Sequence, residues 1–257
     1  MNYEVTFETK VYENDWRIVL RKGYLEKMIK RCNYDFKHVN LIVNNVEDKV
    51  KVGKVAEILK KQNIITEYYF VDDYTSQVLN YFDLTKDSFK GGYYYSISEL
   101  TGIYLCATPY LLHFSSDSFL EENSENWIDP AIAIMKKQSN FIVANPVWNY
   151  NFNEAIGEVT GDQNNFYIGS GFSDQCYLIP VKVFREKIYN EYNEESERYP
   201  KYGGELFEKR IDSFMKNNNK LRLTSTRVSY IHSNFPKIQN LSFLEKLVFK
   251  LKLFKRI

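Results

Sequence analysis

The chain has 257 residues, enough to bury a substantial core as one domain, with room for a small appendage. Hydrophobic residues make up 44% of the sequence and charged residues 26%, which excludes a largely disordered protein. The three cysteines are widely spaced and form no Cys-x-x-Cys pair, and the net charge is only +1, so a disulfide framework, a zinc site and a nucleic-acid partner are not expected.

No targeting or membrane-spanning segment is evident in the sequence. The first ten residues include acidic side chains and no apolar stretch, and no uninterrupted apolar run reaches about 18 residues. We therefore expect a cytoplasmic protein that is neither secreted by that route nor inserted across a membrane. Residues 4–32 predict a strand followed by a helix, with no evident chemistry.

The apolar pattern of residues 38–73 predicts a strand, a helix and a second strand. His38–Asn45 is an apolar run that ends in two amides, of which Asn45 is a candidate ligand contact. Apolar residues at helical spacing follow it, and Glu67–Asp73 is a second apolar run. Two strands joined in this way must be parallel, with a right-handed crossover.

The second run ends in Asp72 and Asp73, which are followed by the hydroxyl residues Thr75 and Ser76. Carboxylates at this position could accept hydrogen bonds from a bound ligand. The same pattern also marks the start of an ordinary helix, so both interpretations stay open.

A helix over Ser96–Cys106 and a buried strand over Tyr110–Phe114 are predicted next. The strand is followed by Ser115, Ser116 and Asp117, at the end where α/β sheets collect their ligands. A carboxylate there could bind a divalent cation, which in turn could neutralise a diphosphate. The alternative is a core strand that runs into an ordinary turn.

The later part of the chain contains aromatic residues that are candidates for sugar binding. After a strand at Phe141–Ala144, residues 145–171 form a long polar and aromatic segment, whose rings could stack on sugars or simply pack within a loop. These rings belong to Trp148, Tyr150, Phe152 and Tyr167.

Asp174 precedes a predicted strand at Tyr177–Pro180 and a predicted helix at Val181–Tyr192. Glu205 follows Gly203-Gly204 at a helix start, where it is either a functional carboxylate or a partner of the helix dipole. His232 ends an apolar strand and is either a metal ligand or a structural residue.

Residues 241–257 predict a basic amphipathic helix, with apolar residues on one stripe and five basic residues against one acidic residue. Such a helix either docks on the domain or lies on an anionic membrane surface, and its charge favours the membrane.

The order of elements over about residues 38–232 resembles the GT-A glycosyltransferases of the family 2-like, bacterial surface polysaccharide type. The resemblance rests on Val71-Asp72-Asp73, on Ser115-Ser116-Asp117 in place of an Asp-x-Asp motif, and on Gly203-Gly204-Glu205. It implies one Rossmann-like α/β domain over residues 1–240, with a mostly parallel central sheet flanked by helices. The nucleotide-sugar half would span about 38–120 and the acceptor half about 140–235, with the amphipathic helix 241–257 as a tail.

The resemblance also implies roles for the candidate residues. Asp72 or Asp73 would contact the nucleotide base, and Asn45, Ser96, Ser115 and Ser116 would contact the rest of the donor. Asp117 and His232 would hold Mn²⁺ or Mg²⁺, although Ser115 replaces the first carboxylate of the motif. Glu205, or else Asp174, would be the general base.

The implied function is transfer of a sugar from a nucleoside diphosphate to a hydroxyl of a glycan or lipid-linked acceptor, with inversion expected and retention open. The protein would work in the cytoplasm at the inner face of the membrane. One alternative is a GT-A domain that binds a sugar nucleotide or glycan without turnover. Another is a sugar-phosphate nucleotidylyltransferase, but the glycine-rich phosphate loop that this class needs near its start is absent from MNYEVTFETK.

Overall fold

The structure, a computed structural model, describes residues 3–21, 23–157, 159–198 and 204–235. These residues form a mixed α/β domain in which one sheet is flanked by helices. The strands are β1 Val5–Val11, β2 His38–Val43, β3 Glu67–Phe70, β4 Tyr110–Phe114, β5 Ser118–Leu120, β6 Phe141–Trp148, β7 Gly161–Gln163, β8 Phe166–Gly169, β9 Cys176–Pro180 and β10 Leu221–His232. The helices are α1 Trp16–Val19, α2 Tyr24–Arg31, α3 Lys49–Lys61, α4 Val71–Phe82, α5 Tyr93–Leu105, α6 Ile128–Lys137, α7 Phe152–Gly157, α8 Val181–Phe184 and α9 Phe207–Asn217, with 3-10 turns at Asp87–Phe89 and Glu194–Arg198.

Strand β1 lies in the middle of a parallel half of the sheet. It pairs in parallel with β2 on one side and with β4 on the other, and β3 pairs in parallel with the far side of β2. Both faces of β1 are buried, as expected for a strand covered by helices on both sides. Because parallel strands end at the same edge of a sheet, the carboxyl ends of β1, β2 and β4 come together.

The other half of the sheet is mixed. Strand β9 runs antiparallel to both β4 and β6, β10 runs parallel to β6, and β8 and β7 continue the sheet as antiparallel strands. The short strand β5 pairs antiparallel with the end of β10. The predicted α/β domain with a central sheet flanked by helices is confirmed, but its parallel pairing is confined to the first half and to the β6–β10 pair. Strands β7 and β8 are antiparallel because a two-residue hairpin turn joins them. Asn164 and Asn165 form this turn, and both have the positive φ that it requires.

The sheet separates two hydrophobic clusters. Successive strand residues alternate between them, so that Leu41 and Val43 lie in one cluster and Ile42 lies in the other. Helix α5 approaches β1 very closely: a Cβ placed on Gly102 would lie 1.9 Å from Oε2 of Glu8. Only a glycine permits this contact, which presses α5 onto the middle of the sheet.

Several predicted boundaries differ from the structure. Strand β3 ends at Phe70, and Asp72 and Asp73 lie in the first turn of α4, where acidic residues favour the start of a helix. The helix predicted at Val181–Tyr192 ends at Phe184. The chain turns there because the next residue, Arg185, donates hydrogen bonds to carbonyl groups at the end of α5.

The segment predicted as one long connection, residues 145–171, contains the end of β6 as well as α7, β7 and β8. No helix in the described residues is long and apolar enough to cross a bilayer. The predicted amphipathic helix at 241–257 lies outside the described residues.

Candidate functional site

A cleft of about 790 Å³ opens where β1, β2 and β4 end, and we call it the central cleft. Its lining comes from the turn after β1, the two amides after β2, the polar segment after β4, α5, the segment before β9 and the end of β10. Its described lining includes five carboxyl groups and one ammonium group, from Glu13, Asp15, Glu47, Asp117, Asp174 and Lys10. The site is therefore polar and acidic overall.

Asp117 and His232 face each other in the central cleft. Nε2 of His232 lies 3.2 Å from Oδ2 of Asp117, and both side chains are largely buried. The antiparallel pairing of β5 with β10 brings them together, because β5 begins one residue after Asp117 and pairs with His232 itself. Burial raises the pKa of Asp117, but hydrogen bonds and charge from His232, the Phe235 N–H and the Ser115 hydroxyl outweigh it, so the pKa lies below its usual value.

The two serines before Asp117 line the same cleft. The Ser115 hydroxyl lies within hydrogen-bond distance of Oδ1 of Asp117, at 3.2 Å, and of the Ser118 hydroxyl, at 2.7 Å. The Ser116 hydroxyl donates to Oδ2 of Asp15 at 2.5 Å. Burial raises the pKa of Asp15 to about 7, and this hydrogen bond offsets only part of the effect of burial. The Asp15 carboxyl group therefore ionises near neutral pH.

Lys10, at the end of β1, contacts both α5 and the segment before β9. Its ammonium group pairs with the fully buried carboxylate of Glu99 on α5 and lies 3.9 Å from Oδ2 of Asp174. Glu99 also accepts a hydrogen bond from the Ser98 hydroxyl. The Lys10 side chain stays about 20% exposed, so a cation with a fixed position faces the cleft.

Asp174 is held by Glu208, from the first turn of α9. The Asp174 backbone N–H donates to Oε1 of Glu208 at 2.6 Å. Burial, and then the negative charge of Asp174, raise the pKa of Glu208 well above its usual value. Two carboxyl groups in contact rarely ionise together. Glu208 is therefore biased toward its protonated form.

A second ionisable pair lies beneath the cleft. Oε1 of Glu8 and Nδ1 of His113 share a hydrogen bond of 3.0 Å, and both side chains are almost fully buried. Burial raises the pKa of Glu8 to about 8 and, with the charge of Lys10, lowers the pKa of His113 well below its usual value. The contact is therefore a hydrogen bond between neutral groups, although its geometry alone would also suit an ion pair.

Six of the ten predicted site residues line the central cleft. The structure brings together residues that follow β2 and β4, the last residue of β10 and one residue that precedes β9. They are Asn45, Ser115, Ser116, Asp117, Asp174 and His232.

The other four lie outside the lining. Asp72 and Asp73 are exposed on α4, with Oδ2 of Asp72 2.7 Å from the ammonium of Lys49. Ser96 is buried, and its hydroxyl links α5 to α9 by donating to the Gly92 carbonyl and accepting from the Phe207 N–H.

The fourth, Glu205, precedes α9 and pairs with two ammonium groups. Oε1 of Glu205 lies 3.2 Å from Nζ of Lys209 and 3.6 Å from Nζ of Lys90. These contacts suit a structural carboxylate at a helix start.

Sequence reasoning missed the contribution of β1 and the turn after it. Lys10 and Asp15 belong to the segment in which no chemistry was expected, and Glu99 and Glu208 lie within helices that were considered for other residues. One usable signal was present, since Glu8 and Lys10 are charged residues in a strand whose other residues are Val, Phe and Thr. Charges on a strand that is buried on both faces are rare unless paired, and they often mark a site.

The residues fit a divalent metal only as a partial ligand set. Asp117 and His232 offer a carboxylate oxygen and an imidazole nitrogen side by side, which are donors that Mn²⁺ accepts. The described residues contain no group of three or more His, Cys, Asp or Glu side chains that could hold a metal ion. A cation bound here would need its remaining ligands from diphosphate oxygens and water.

The architecture of this sheet, flanked by helices, is that of the GT-A fold. A crystal structure of GalNAc-T7 with UDP, GalNAc and Mn²⁺ matches 90% of this chain with a TM-score of 0.55 and 10% sequence identity. This chain spans 44% of the length of that one. At this identity the likeness establishes the fold.

A structure of mouse xyloside xylosyltransferase 1 in its apo form is also similar, with a TM-score of 0.46 and 11% identity over 86% of this chain and 84% of that chain. No protein-family model and no curated protein matches the sequence.

Proposed function

We propose that this protein is a glycosyltransferase that moves a sugar from a nucleoside diphosphate to a hydroxyl of a glycan or lipid-linked acceptor. One observation carries the proposal: in a GT-A fold, Asp117, His232 and Asp174 converge on one polar cleft at the ends of the parallel strands. A volume of about 790 Å³ lies well within the range of small-molecule sites, roughly 300–1,000 Å³. Fold alone would not support a function, because one fold hosts many.

The donor diphosphate would lie against Ser115, Ser116 and Lys10. Lys10 supplies one fixed positive charge, and the Ser115 and Ser116 hydroxyls can donate hydrogen bonds to phosphate oxygens. Asp117 and His232 would hold the divalent metal, Mn²⁺ or Mg²⁺, whose chemistry is to neutralise the departing diphosphate. Asn45, in the turn after β2, would contact the nucleoside.

Asp174 is the best placed general base for an inverting transfer. It is partly exposed in the cleft, and Glu208 accepts a hydrogen bond from its backbone N–H. A base must reach the proton that it removes, so geometry ranks before pKa. Glu205, the other predicted base, lies outside the cleft lining in a pair of lysine contacts.

The cellular role that we propose is synthesis of a bacterial surface polysaccharide at the inner face of the membrane. It is supported by the basic and apolar pattern of residues 241–257, which suits attachment to anionic lipid next to a lipid-linked acceptor.

A panel of nucleotide sugars, each with and without Mn²⁺, tests the activity through the UDP or GDP that is released. We expect turnover with one donor, and loss of turnover in Asp117→Asn with a nearly unchanged melting temperature. Asp162→Asn is the matched control, because Asp162 is an exposed carboxylate on β7 outside the cleft lining.

Ser115 favours one competing function. A serine in place of the first carboxylate of an Asp-x-Asp motif is the change expected in a domain that binds a sugar nucleotide without turnover. Protection of the fold by UDP or GDP, with no release from any donor in the panel, would support that function and contradict the proposal.

A further inference from the structure

A second cavity, of about 320 Å³, lies beside the central cleft, and we call it the side cavity. The end of β6, the helix α7, part of β10 and the segment before β9 line it. Its volume is at the low end of small-molecule sites. It suits a small unit such as one sugar residue better than a whole nucleotide sugar.

A break in the sheet lies next to the side cavity, which Asn145, Pro146, Val147 and Thr224 help to line. Thr224 of β10 pairs with Asn145 of β6, but the next paired residues are Ser229 and Val147, so four residues of β10 bulge opposite the single residue Pro146. Proline has no N–H to donate, and within sheets it is found at edges and bulges. Bulges of this kind are common next to functional sites because they redirect side chains.

A row of polar side chains forms part of the cavity lining next to this bulge. Nε of Arg222 donates to the Thr224 hydroxyl at 3.0 Å, and that hydroxyl lies 3.2 Å from Oδ1 of Asn145. Thr224 and Asn145 are buried, so the row is held in place by the sheet. Asn151 and Glu154 add an amide and a carboxylate to the lining.

Trp148 supplies the aromatic surface. It is 40% exposed at the end of β6, and it alone lines the side cavity among the four aromatic residues predicted to stack on acceptor sugars. An exposed indole face beside planar amide, carboxylate and guanidinium groups suits a sugar ring, which presents C–H groups on its faces and hydroxyls at its edge.

The segment Ser173–Gln175 separates the two cavities. Ser173 lines the side cavity, Asp174 lines the central cleft and Gln175 lines both. The Tyr230 hydroxyl, also from the side cavity, donates to Oε1 of Gln175 at 3.1 Å. A molecule in the side cavity would therefore meet Asp174 at the boundary with the cleft.

We infer that the side cavity is the acceptor site, and that it takes a saccharide whose ring packs on Trp148 and whose reacting hydroxyl points past Gln175 toward Asp174. This inference rests on the proposed function, because it takes Asp174 as the base and the central cleft as the donor site.

The test uses the full chain and a printed array of mono- to tetrasaccharides that also carries Ser- and Thr-containing peptides. We expect retention of particular glycans by the wild-type protein, and at least tenfold weaker retention by Trp148→Ala. Trp148→Phe should restore part of the binding, because it restores an aromatic face. Tyr150→Ala is the matched control, since Tyr150 is exposed in the same segment but does not line the cavity.

Tryptophan fluorescence gives a second reading with the free glycan that binds best. The chain has three tryptophans, and Trp16 and Trp127 are buried. The change on glycan binding should therefore vanish in Trp148→Phe. Retention of no glycan, retention of peptides only, or glycan binding that Trp148→Ala leaves unchanged would overturn the inference.

Binding of UDP and GDP, measured on the same variants by thermal shift, separates this inference from the proposed function. Trp148→Ala should keep wild-type nucleotide binding. Normal donor turnover without Trp148-dependent glycan binding would contradict only the inference that the side cavity is the acceptor site. Glycan binding through Trp148 in a protein that neither binds nor turns over any donor would contradict the proposed glycosyltransferase function. The side cavity would then be a saccharide-binding site without transfer activity.

Discussion

Glu8 gives the domain a stability that depends on pH, and Glu8→Gln should remove that dependence. Burial raises the pKa of Glu8 from its ordinary value of 4.5 to about 8, and the nearby charge of Lys10 offsets only part of this effect. The folded state therefore keeps a proton that the unfolded chain releases. A raised carboxyl pKa means that the stabilisation is complete below pH 4.5 and is lost as the pH rises through 8.

The magnitude follows from the two pKa values. Between pH 6 and pH 8 the carboxyl of the unfolded chain is ionised, whereas that of the folded chain goes from protonated to about half ionised. At about 1.4 kcal/mol per pKa unit, this difference lowers the free energy of unfolding by roughly 2 kcal/mol over that range. His113 acts in the opposite direction and mainly below pH 6.5, because its pKa is lowered in the folded state.

Urea denaturation at pH 6, 7 and 8 measures this effect as the difference between the wild type and Glu8→Gln, which cancels the other titrating groups. We expect that difference to change by roughly 2 kcal/mol in favour of the variant as the pH rises from 6 to 8. Glu4→Gln is the control, because Glu4 is exposed near the start of the same strand. Parallel curves for the wild type and Glu8→Gln would mean that Glu8 is ionised in the folded protein and forms a true ion pair with His113.

Three further results are expected. Gly102→Ala should lower the free energy of unfolding by about 1–3 kcal/mol, since the new Cβ would overlap the Glu8 carboxyl group; an unchanged urea midpoint would show that α5 can move away from β1. Glu208→Gln should keep more of the transferase activity than Glu208→Ala, because the amide oxygen of glutamine can still accept from the Asp174 N–H; equal losses in both would contradict a positioning role for this hydrogen bond. Deletion of 241–257 should release the protein from anionic vesicles in a sedimentation assay while sparing hydrolysis of the soluble donor; vesicle binding by the shortened chain would remove the membrane role of this segment.

The parts of the fold with strong local patterns could be predicted from the sequence. Tyr110–Phe114 is a nearly continuous apolar run before polar residues, and it forms strand β4 with the predicted bounds. His38 likewise begins β2. The proximity of Asp117 and His232, 115 positions apart, was expected only from the resemblance to GT-A glycosyltransferases, and the pairing of β5 with β10 provides it.

The remaining features depend on contacts between distant segments. The place of β9 between β4 and β6 is set by pairing that leaves no periodic signal in the sequence. Lys10 gains its position from Glu99, and Asp174 gains its environment from Glu208, in each case across two separate elements. The Asp72-Asp73 pair shows the limit of a local motif, since the same residues also suit the first turn of a helix, which is where they lie.

The choice between Asp174 and Glu205 as general base can be decided from their surroundings and then by experiment. Two ammonium groups contact the Glu205 carboxylate, and it lies outside the cleft lining, away from the residues that would meet an acceptor hydroxyl. Asp174 lies in the cleft, where the nearest cation, Lys10, is already paired with Glu99. Asp174→Asn should therefore reduce kcat by about 10²-fold or more, the usual scale for losing a general base.

Glu205→Gln should instead lower the melting temperature and leave kcat within a few-fold of the wild type, because its effect is to weaken contacts that hold the start of α9. The reverse pattern, with kcat lost in Glu205→Gln and kept in Asp174→Asn, would require α9 to bring Glu205 into the cleft when the donor binds, and would exchange the two roles.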